Sequence, residues 1–403
     1  MRLIFISSGQ YPDGGAATNR HLAYSKGLAE LGHEVEFLLL EKQQWESNEI
    51  RLNNIKFIAV NHIEKSHLSK IKKIGLHLKS INKVINILNE ETKAKKVLSA
   101  LILLDTRVSI LIPLLRKGKK LGLKIFHERT EYPSVVAGRS IFGKIDLSIY
   151  LRFVIKKFDG LFVINNALKK YFSTLTNSKI IITNMIVDPS RFEQLLNKPN
   201  NTKPIITYCG KLEGDKDGVP ILIKSFARIA HKSPQVTLKI IGSLDNEKTK
   251  QKLQSLVHEL NIESRVVFTG SVGREDMPKI LKDSDILALA RPNNKQAEGG
   301  FPTKLGEYLA TGNPVVITNV GEIGLFLKDK VNAYIAEPDS PEKFSEKLLE
   351  ALSDQNRIKV GLEGQKLVYN EFNYLTQAKK LEKLFMNKDF DNAVKHPINQ
   401  PSC

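Results

Sequence analysis

Segments with strand periodicity and segments with helix periodicity alternate along nearly all of this 403-residue chain, and that rhythm restricts it to a few architectures. In the first half, apolar runs suited to strands fall at 2–8, 34–40, 55–60, 97–104, 123–127 and 160–164. Stretches suited to helices fall at about 17–31, 67–88, 108–121, 145–158 and 166–175. The second half repeats the pattern, with strands at 205–209, 235–241, 266–269, 286–290 and 315–317 and helices at 219–232, 247–260, 276–283, 303–311 and 341–353. Strands separated by helices imply parallel sheets covered on both faces. A chain of this length also exceeds what one core usually supports. The expected fold is therefore α/β, with two doubly wound domains facing each other across a cleft. A polar, proline-bearing stretch reads as a hinge over 196–203, between domains of residues 1–195 and 204–356. Helices over 357–386 are expected to cross back to the first domain, and 387–403 to form a disordered tail.

Ligands of open parallel sheets collect at the carboxyl ends of the strands, so the loops there are the candidate site. Gly14 and Gly15 follow the first strand, and His127 closes the strand that begins at Leu123. Lys211 and Lys216 lie in a glycine-punctuated turn after the 205–209 strand, and the 298–303 loop follows 286–290. The stretch from Glu298 to Val316 is the most informative. Gly299, Gly300, Phe301 and Pro302 open a helix that runs from about Thr303 to Ala310 and stops at Gly312. The first turn of such a helix leaves backbone N–H groups unpaired, and glycines let a phosphate come close enough to accept from them. Thr303 is placed to cap, Lys304 adds charge, and Glu307 lies one turn in on the same side as Thr303. An anion cradle with a carboxylate behind it suits a nucleoside diphosphate and its ribose hydroxyls. Lys211 and Lys216 either neutralise a departing diphosphate or are solvated lysines of a surface turn. His127 either donates to substrate or is bonded to local backbone.

Composition narrows the partners. Only Cys209 and Cys403 are present, so no disulfide framework is expected, and no Cys/His cluster has metal-ligand spacing. The first residues read as a strand rather than a signal peptide, and the apolar run from Val97 to Leu115 is interrupted by Asp105, Thr106 and Arg107. The chain is expected to be cytoplasmic. Its net charge of +18 is uneven: residues 1–190 hold 30 Lys+Arg against 16 Asp+Glu, or +14. Between Lys65 and Lys120, 14 basic residues face only Glu90, Glu91 and Asp105. The 67–88 helix carries Leu68, Ile71, Ile74, Leu78, Ile81, Ile85 and Leu88 on one stripe, which is expected to cover its own sheet. The flanking Lys70, Lys72, Lys73, Lys79 and Lys83 suit an anionic membrane surface, which would make the protein peripheral on the inner face of the cell membrane. A nucleic-acid partner is not expected, because no aromatic-rich basic strand or recognised module appears. The first strand also lacks the Gly-x-Gly-x-x-Gly signature of a dinucleotide dehydrogenase.

Taken together, these residues resemble family 4 of the retaining, nucleotide-sugar-dependent glycosyltransferases, which have the GT-B fold of two Rossmann-like domains. The resemblance runs from Met1 to about Phe385, through Leu31-Gly32-His33-Glu34-Val35, Asn184, Asp188 and Phe192, Tyr208 to Gly218, Val267-Phe268-Thr269-Gly270 and the 299–316 stretch. It implies that the second domain binds a diphosphate-linked sugar donor and the first a glycan or lipid-linked acceptor, with no cofactor and no metal. By the same resemblance Lys211 and Lys216 take the phosphates, Glu307 grips the ribose, His127 lies near the transferred sugar, Gly15 (with Gly14) lies beside the diphosphate, and Gly270 flanks the donor. An arginine is usual where Lys211 stands, so a bidentate fork is lost. The family's paired glutamates have seven residues between them, whereas the position eight before Glu307 is Gly299 and Glu298 comes one residue early. Either Glu298 still reaches the sugar, or the amides of Gly299 and Gly300 replace that carboxylate; the second is preferred because two glycines favour close backbone approach. The implied activity is hexosyl transfer in surface polysaccharide synthesis. A nucleotide-sugar epimerase of the same fold and a catalytically silent sugar-nucleotide-binding relative are the alternatives.

Overall fold

The structure, a computed structural model, describes residues 1–93, 98–136, 140–193, 203–213 and 216–386. The expected hinge, except Lys203, and the expected tail lie outside the described residues. The first sheet holds β1 (Arg2–Ser7), β2 (Glu34–Leu39), β3 (Glu49–Leu52), β4 (Ile55–Ala59), β5 (Leu98–Leu103), β6 (Lys124–Arg129), β7 (Gly160–Val163) and β8 (Lys179–Ile182). Their order is β3-β4-β2-β1-β5-β6-β7-β8, parallel throughout except for β3 against β4. The second sheet holds β9 (Ile205–Cys209), β10 (Thr237–Ile241), β11 (Val266–Gly270), β12 (Ile286–Leu289), β13 (Val315–Thr318) and β14 (Tyr334–Ala336). Its order is β11-β10-β9-β12-β13-β14, all parallel.

Both sheets are doubly wound because their central strands are apolar on both faces. β1, β12 and β13 are buried at every residue, as strands with helices above and below must be. Chain order reverses between β1 and β5 in the first sheet and between β9 and β12 in the second. Such switch points open a crevice outside the carboxyl ends of the strands. The loops after β1, β5, β9 and β12 are therefore placed by topology before any side chain is considered.

The last helix, Tyr374–Phe385, packs against the first, Ala16–Glu30. Gly27 makes room for it: a Cβ there would stand 2.6 Å from the Cβ of Ala378. The Phe385 ring meets Phe126 at 4.9 Å, and His33 and Glu382 face each other at 2.9 Å. The segment before the hinge is tied to the same region, since Val187 N donates to the Phe372 carbonyl and Tyr374 N to that of Val187, both at 3.0 Å.

One expectation is corrected. The stripe on the Lys70–Lys93 helix does not lie wholly on its sheet. Ile81, Val84 and Leu88 are buried, but Ile71, Ile74 and Leu78 are 83%, 61% and 53% exposed. The helix covers the sheet with its later turns and leaves the early ones in solvent, beside Lys70, Lys72, Lys73 and Lys79. No helix among the described residues is long and apolar enough to cross a membrane.

Candidate active site

The loops after β9, β10 and β11 enclose a cavity of about 440 Å³, lined by Cys209 to Glu213, Ile241 to Ser243, Ser271, Val272 and Met277. Gly270, with a φ of +74°, turns the chain at the end of β11 just before it. Lys211 forms part of the wall and pairs with Glu213 at 3.0 Å. Beside this cavity lies a charged knot centred on Asp217. Lys304 Nζ pairs with Asp217 Oδ2, Tyr208 Oη donates to the same oxygen at 3.0 Å, and Arg291 Nε stands 3.9 Å from Oδ1. Burial alone would raise the Asp217 carboxyl, but Lys304 and Arg291 hold it below the ordinary carboxylate range. The two cations are themselves pushed below their usual values by burial. Arg291 Nη1 is buried with no partner among the described residues. Arg291, buried, and Lys304, partly buried, share one carboxylate, and an arriving anion would relieve them. Gly218 is what lets the turn close on this knot: its φ is +67°, and a Cβ would fall 1.8 Å from the Ala290 carbonyl.

The helix Thr303–Ala310 begins here, with Pro302 as its N-cap. No side chain caps it, so Thr303 does not take the role expected of it; the proline occupies the cap position and Thr303 is the first helical residue. Lys304 joins the Asp217 knot from this first turn. Glu307, one turn in, accepts from Arg191 Nη1 at 2.9 Å, while Arg191 Nη2 donates to the Arg274 carbonyl at 2.6 Å. Phe301 lies in the core, its ring 5.6 Å from that of Phe326 and 5.9 Å from that of Phe372, so only its backbone is left to a ligand.

The first sheet closes the other side. Lys216 Nζ donates to Glu131 Oε1 at 2.6 Å, and Gln296 Nε2 donates to the same oxygen at 3.3 Å. Tyr132 Oη donates to Glu298 Oε1 at 3.2 Å, and Asn165 Nδ2 to the Glu298 carbonyl at 2.9 Å. A Cβ on Gly299 would stand 2.4 Å from the Tyr132 ring, so this position admits only glycine in this arrangement. The Gly299 amide donates to the Lys295 carbonyl at 3.1 Å as the cap of the short helix Lys295–Glu298, so it is not a free donor for a sugar. Of the two expected replacements for the missing glutamate, the pair of Gly299 and Gly300 amides has its first member engaged elsewhere, while Glu298 faces the first sheet. Gly14 is confined, since a Cβ would meet Thr18 Oγ1 at 2.1 Å, whereas Gly15 caps the first helix with open space beside it.

His127 requires a correction. β6 does not end there but runs on to Arg129, and the alternation of a strand sends His127 and Arg129 to one face and Glu128 to the other. His127 is fully buried, its Nδ1 is 2.7 Å from the Leu103 carbonyl, and its ring stacks on Phe158 at 4.4 Å. Burial pushes its pKa down to about 3, so the imidazole is neutral, and it does not line the cavity beside β9. Glu128 turns to the opposite face, where it accepts from Arg20 Nε at 2.7 Å and lies 2.8 Å from His21 Nε2. Burial opposes its ionisation, yet Arg20 and His21 hold it at about 2. Arg129 stands at the strand end. Sequence reasoning missed Asp217, Arg291, Glu131 and Tyr132, although the strand-end rule points to Arg291, two residues after β12.

The described residues contain no group of three or more His, Cys, Asp or Glu arranged to hold a metal ion. What they do form is a crevice between two Rossmann-like sheets, with Lys216, Lys304 and Arg291 beside it. Residues 191–365 match the family of glycosyl transferases group 1. The D-inositol 3-phosphate glycosyltransferase of Corynebacterium efficiens is 24% identical over 199 residues, 48% of this chain and 45% of that protein. The chain spans about half the length of several curated relatives it matches, 43 to 49% of each. Among solved structures, the sucrose-phosphate synthase of Thermosynechococcus elongatus superposes with a TM-score of 0.73 at 15% identity, over 96% of this chain and 98% of that one. HepE of Anabaena, solved in complex with UDP and glucose, gives 0.69 at 14% identity, over 96% and 100%. The fold is GT-B, and the second lobe, over residues 191–365, is similar to the group 1 glycosyl transferases.

Proposed function

We propose that the protein transfers a hexosyl unit from a nucleoside diphosphate sugar to a hydroxyl of a glycan or lipid-linked acceptor, with its anomeric configuration kept, in surface polysaccharide synthesis. The observation that carries this reading is the Asp217 knot, where Lys304, partly buried, and Arg291, buried, have one carboxylate between them, next to Lys216 and the start of the Thr303–Ala310 helix. In this reading the nucleoside enters the 440 Å³ cavity, Glu307 exchanges Arg191 for the ribose hydroxyls, and the diphosphate sits against the helix start and Lys216. The sugar then points toward Glu131, Tyr132 and Glu298. The acceptor hydroxyl attacks the anomeric carbon from the side of the leaving phosphate. As the carbon–oxygen bond to that phosphate breaks, the departing oxygen takes the acceptor proton, so no side-chain base is needed. Lys216, Lys304 and Arg291 stabilise the charge that grows on the diphosphate, and one such contact is worth roughly 3 kcal/mol at the transition state.

The acceptor side is read as membrane-facing. Ile71, Ile74 and Leu78 stand exposed among lysines, and His77 on the same turns lies 3.1 Å from Ser109 Oγ. A second exposed apolar group, Ile141, Phe142 and Ile145, belongs to a helix whose Asp146 accepts from Val108 N. Both groups flank the turn at 107–109 and would rest on the cytoplasmic face of an anionic membrane, each nearby lysine contributing about 1 kcal/mol. Thermal-shift screening with UDP, GDP, ADP, CMP and dTDP tests the donor half: one nucleotide should raise the melting temperature, and no response to any would contradict the reading. Donor turnover that needs no acceptor would mark an epimerase instead. Flotation with liposomes tests the membrane half, with binding expected only to anionic vesicles and released by salt.

A further inference from the structure

A second cavity, of about 290 Å³, opens at the carboxyl end of the first sheet, and its walls include Arg129, Tyr150, Arg107, Asp146, Val136 and Phe142. Arg129 is 3% exposed and has no carboxylate partner among the described residues. Its Nε has no hydrogen-bond acceptor, and its Nη2 reaches only the Glu131 carbonyl at 3.4 Å. The guanidinium is held by ring faces, 5.3 Å from the centroid of Tyr150 and 5.8 Å from that of Phe172. Tyr150 is 2% exposed, and its hydroxyl is likewise unpartnered. Of the neighbouring charges, Arg107 pairs with Asp105 at 2.8 Å, while Asp146 accepts from Val108 N at 3.2 Å. The Arg129 guanidinium in the cavity wall thus has no ion-pair partner, and its Nε and the Tyr150 hydroxyl are buried donors without acceptors, groups that a fold seldom leaves without a counterpart.

The rim has the opposite character. Phe142 is 80% exposed and Val136 45%. The volume is at the small end of ligand cavities, sized for a head group rather than a glycan. Its position is also specific: Glu131 and Tyr132, two and three residues after Arg129, are the side chains that touch Lys216 and Glu298 across the cleft. A ligand here lies behind the loop that meets the donor.

We propose that this cavity binds the phosphate or diphosphate head of an amphiphilic acceptor, with Arg129 and Tyr150 taking the anion and Val136 and Phe142 the first part of its apolar chain. The proposal rests on the glycosyl-transfer reading and names its acceptor class. Calorimetric titration of the full chain with geranyl diphosphate, geraniol and inorganic pyrophosphate tests it. Geranyl diphosphate should bind and geraniol should not. Arg129→Gln should weaken geranyl diphosphate at least tenfold without lowering the melting temperature, because the substitution removes a buried unpaired charge. Phe142→Ser should weaken geranyl diphosphate several-fold and leave pyrophosphate unchanged, which separates a lipid head group from a free phosphate. The double variant Lys211→Ala/Lys216→Ala should still bind geranyl diphosphate. Binding unchanged in Arg129→Gln, binding lost in the double lysine variant, or a melting temperature lowered by several degrees in Arg129→Gln would each overturn the assignment. A nucleoside diphosphate titrated into the same wild-type protein reads the donor site separately, so failure there would sink glycosyl transfer without deciding the Arg129 result.

Discussion

Replacing His127 by phenylalanine removes a buried titratable ring from the core of the first lobe while keeping an aromatic face against Phe158. The imidazole has an ordinary pKa of 6.5 and is held at about 3 in the fold, with burial as the first cause and the Arg129 charge as the second. A group whose folded pKa is depressed binds protons in the unfolded chain first, so stability falls as pH drops from 6.5 toward 3. At pH 5 the gap is about 1.5 pKa units, or about 2 kcal/mol lost relative to neutral pH. The variant has no such group. It loses the bond to the Leu103 carbonyl instead, a pH-independent cost of about 1–2 kcal/mol. Trp45 is the only tryptophan and sits in the first lobe, where its Nε1 donates to the Tyr11 carbonyl, so its fluorescence in urea reports on the lobe that carries His127. The wild type should be more stable than the variant at pH 7.5 and lose that advantage by pH 5. An equal difference at both pH values would refute the buried, neutral imidazole. Turnover of the variant should stay within about tenfold of wild type, since each 1.4 kcal/mol of transition-state contact would otherwise show as a further factor of ten. A thousandfold loss without loss of stability would put the ring at the substrate.

Other outcomes follow from the same geometry. Lys216→Ala should lower turnover about a hundredfold while changing donor KM little, because in the proposed reaction its charge is needed most as the diphosphate leaves; steady-state kinetics over donor concentration check the split. Gly299→Ala should drive Tyr132 away and loosen the contact between the sheets, lowering kcat/KM at least tenfold, and Gly299→Ala combined with Tyr132→Ala should recover part of it; no recovery would show that the glycine acts otherwise. Activity is expected to survive EDTA, since the proposed reaction gives Lys216, Lys304 and Arg291 the part that a metal ion plays at other diphosphates. A strict divalent-ion requirement would contradict that assignment.

The sequence was most legible where one physical signal acted alone. Continuous apolar runs with Gly or Pro at their ends located β1, β9, β12 and β13 within a residue or two, and Gly312 marked the stop of the Thr303–Ala310 helix. Edge elements were not legible. β3 and β8 are four residues long and only partly buried, and β14 has three residues, so no periodicity can develop. The end of β6 misled for a different reason. Its apolar run stops at Phe126, yet the ladder continues through His127, Glu128 and Arg129 because Leu103, Arg20 and the Tyr150 ring receive them one after another. Those partners lie 20 to 110 residues away in the chain, so a local reading assigns the strand end, and with it the site residue, two positions early. Lys304 shows the converse: its place in the first turn of the helix was visible, but its pairing with Asp217 required the two loops after β9 and β12 to be brought together.

A crystal structure with a bound nucleoside diphosphate tests most directly whether the loops after β9 and β12 form a diphosphate cradle. The phosphates should lie within hydrogen-bonding distance of Lys216 and the first-turn amides of the Thr303–Ala310 helix, with Glu307 turned from Arg191 to the ribose. Phosphates bound away from that helix start, with the Glu307–Arg191 pair intact, would contradict it.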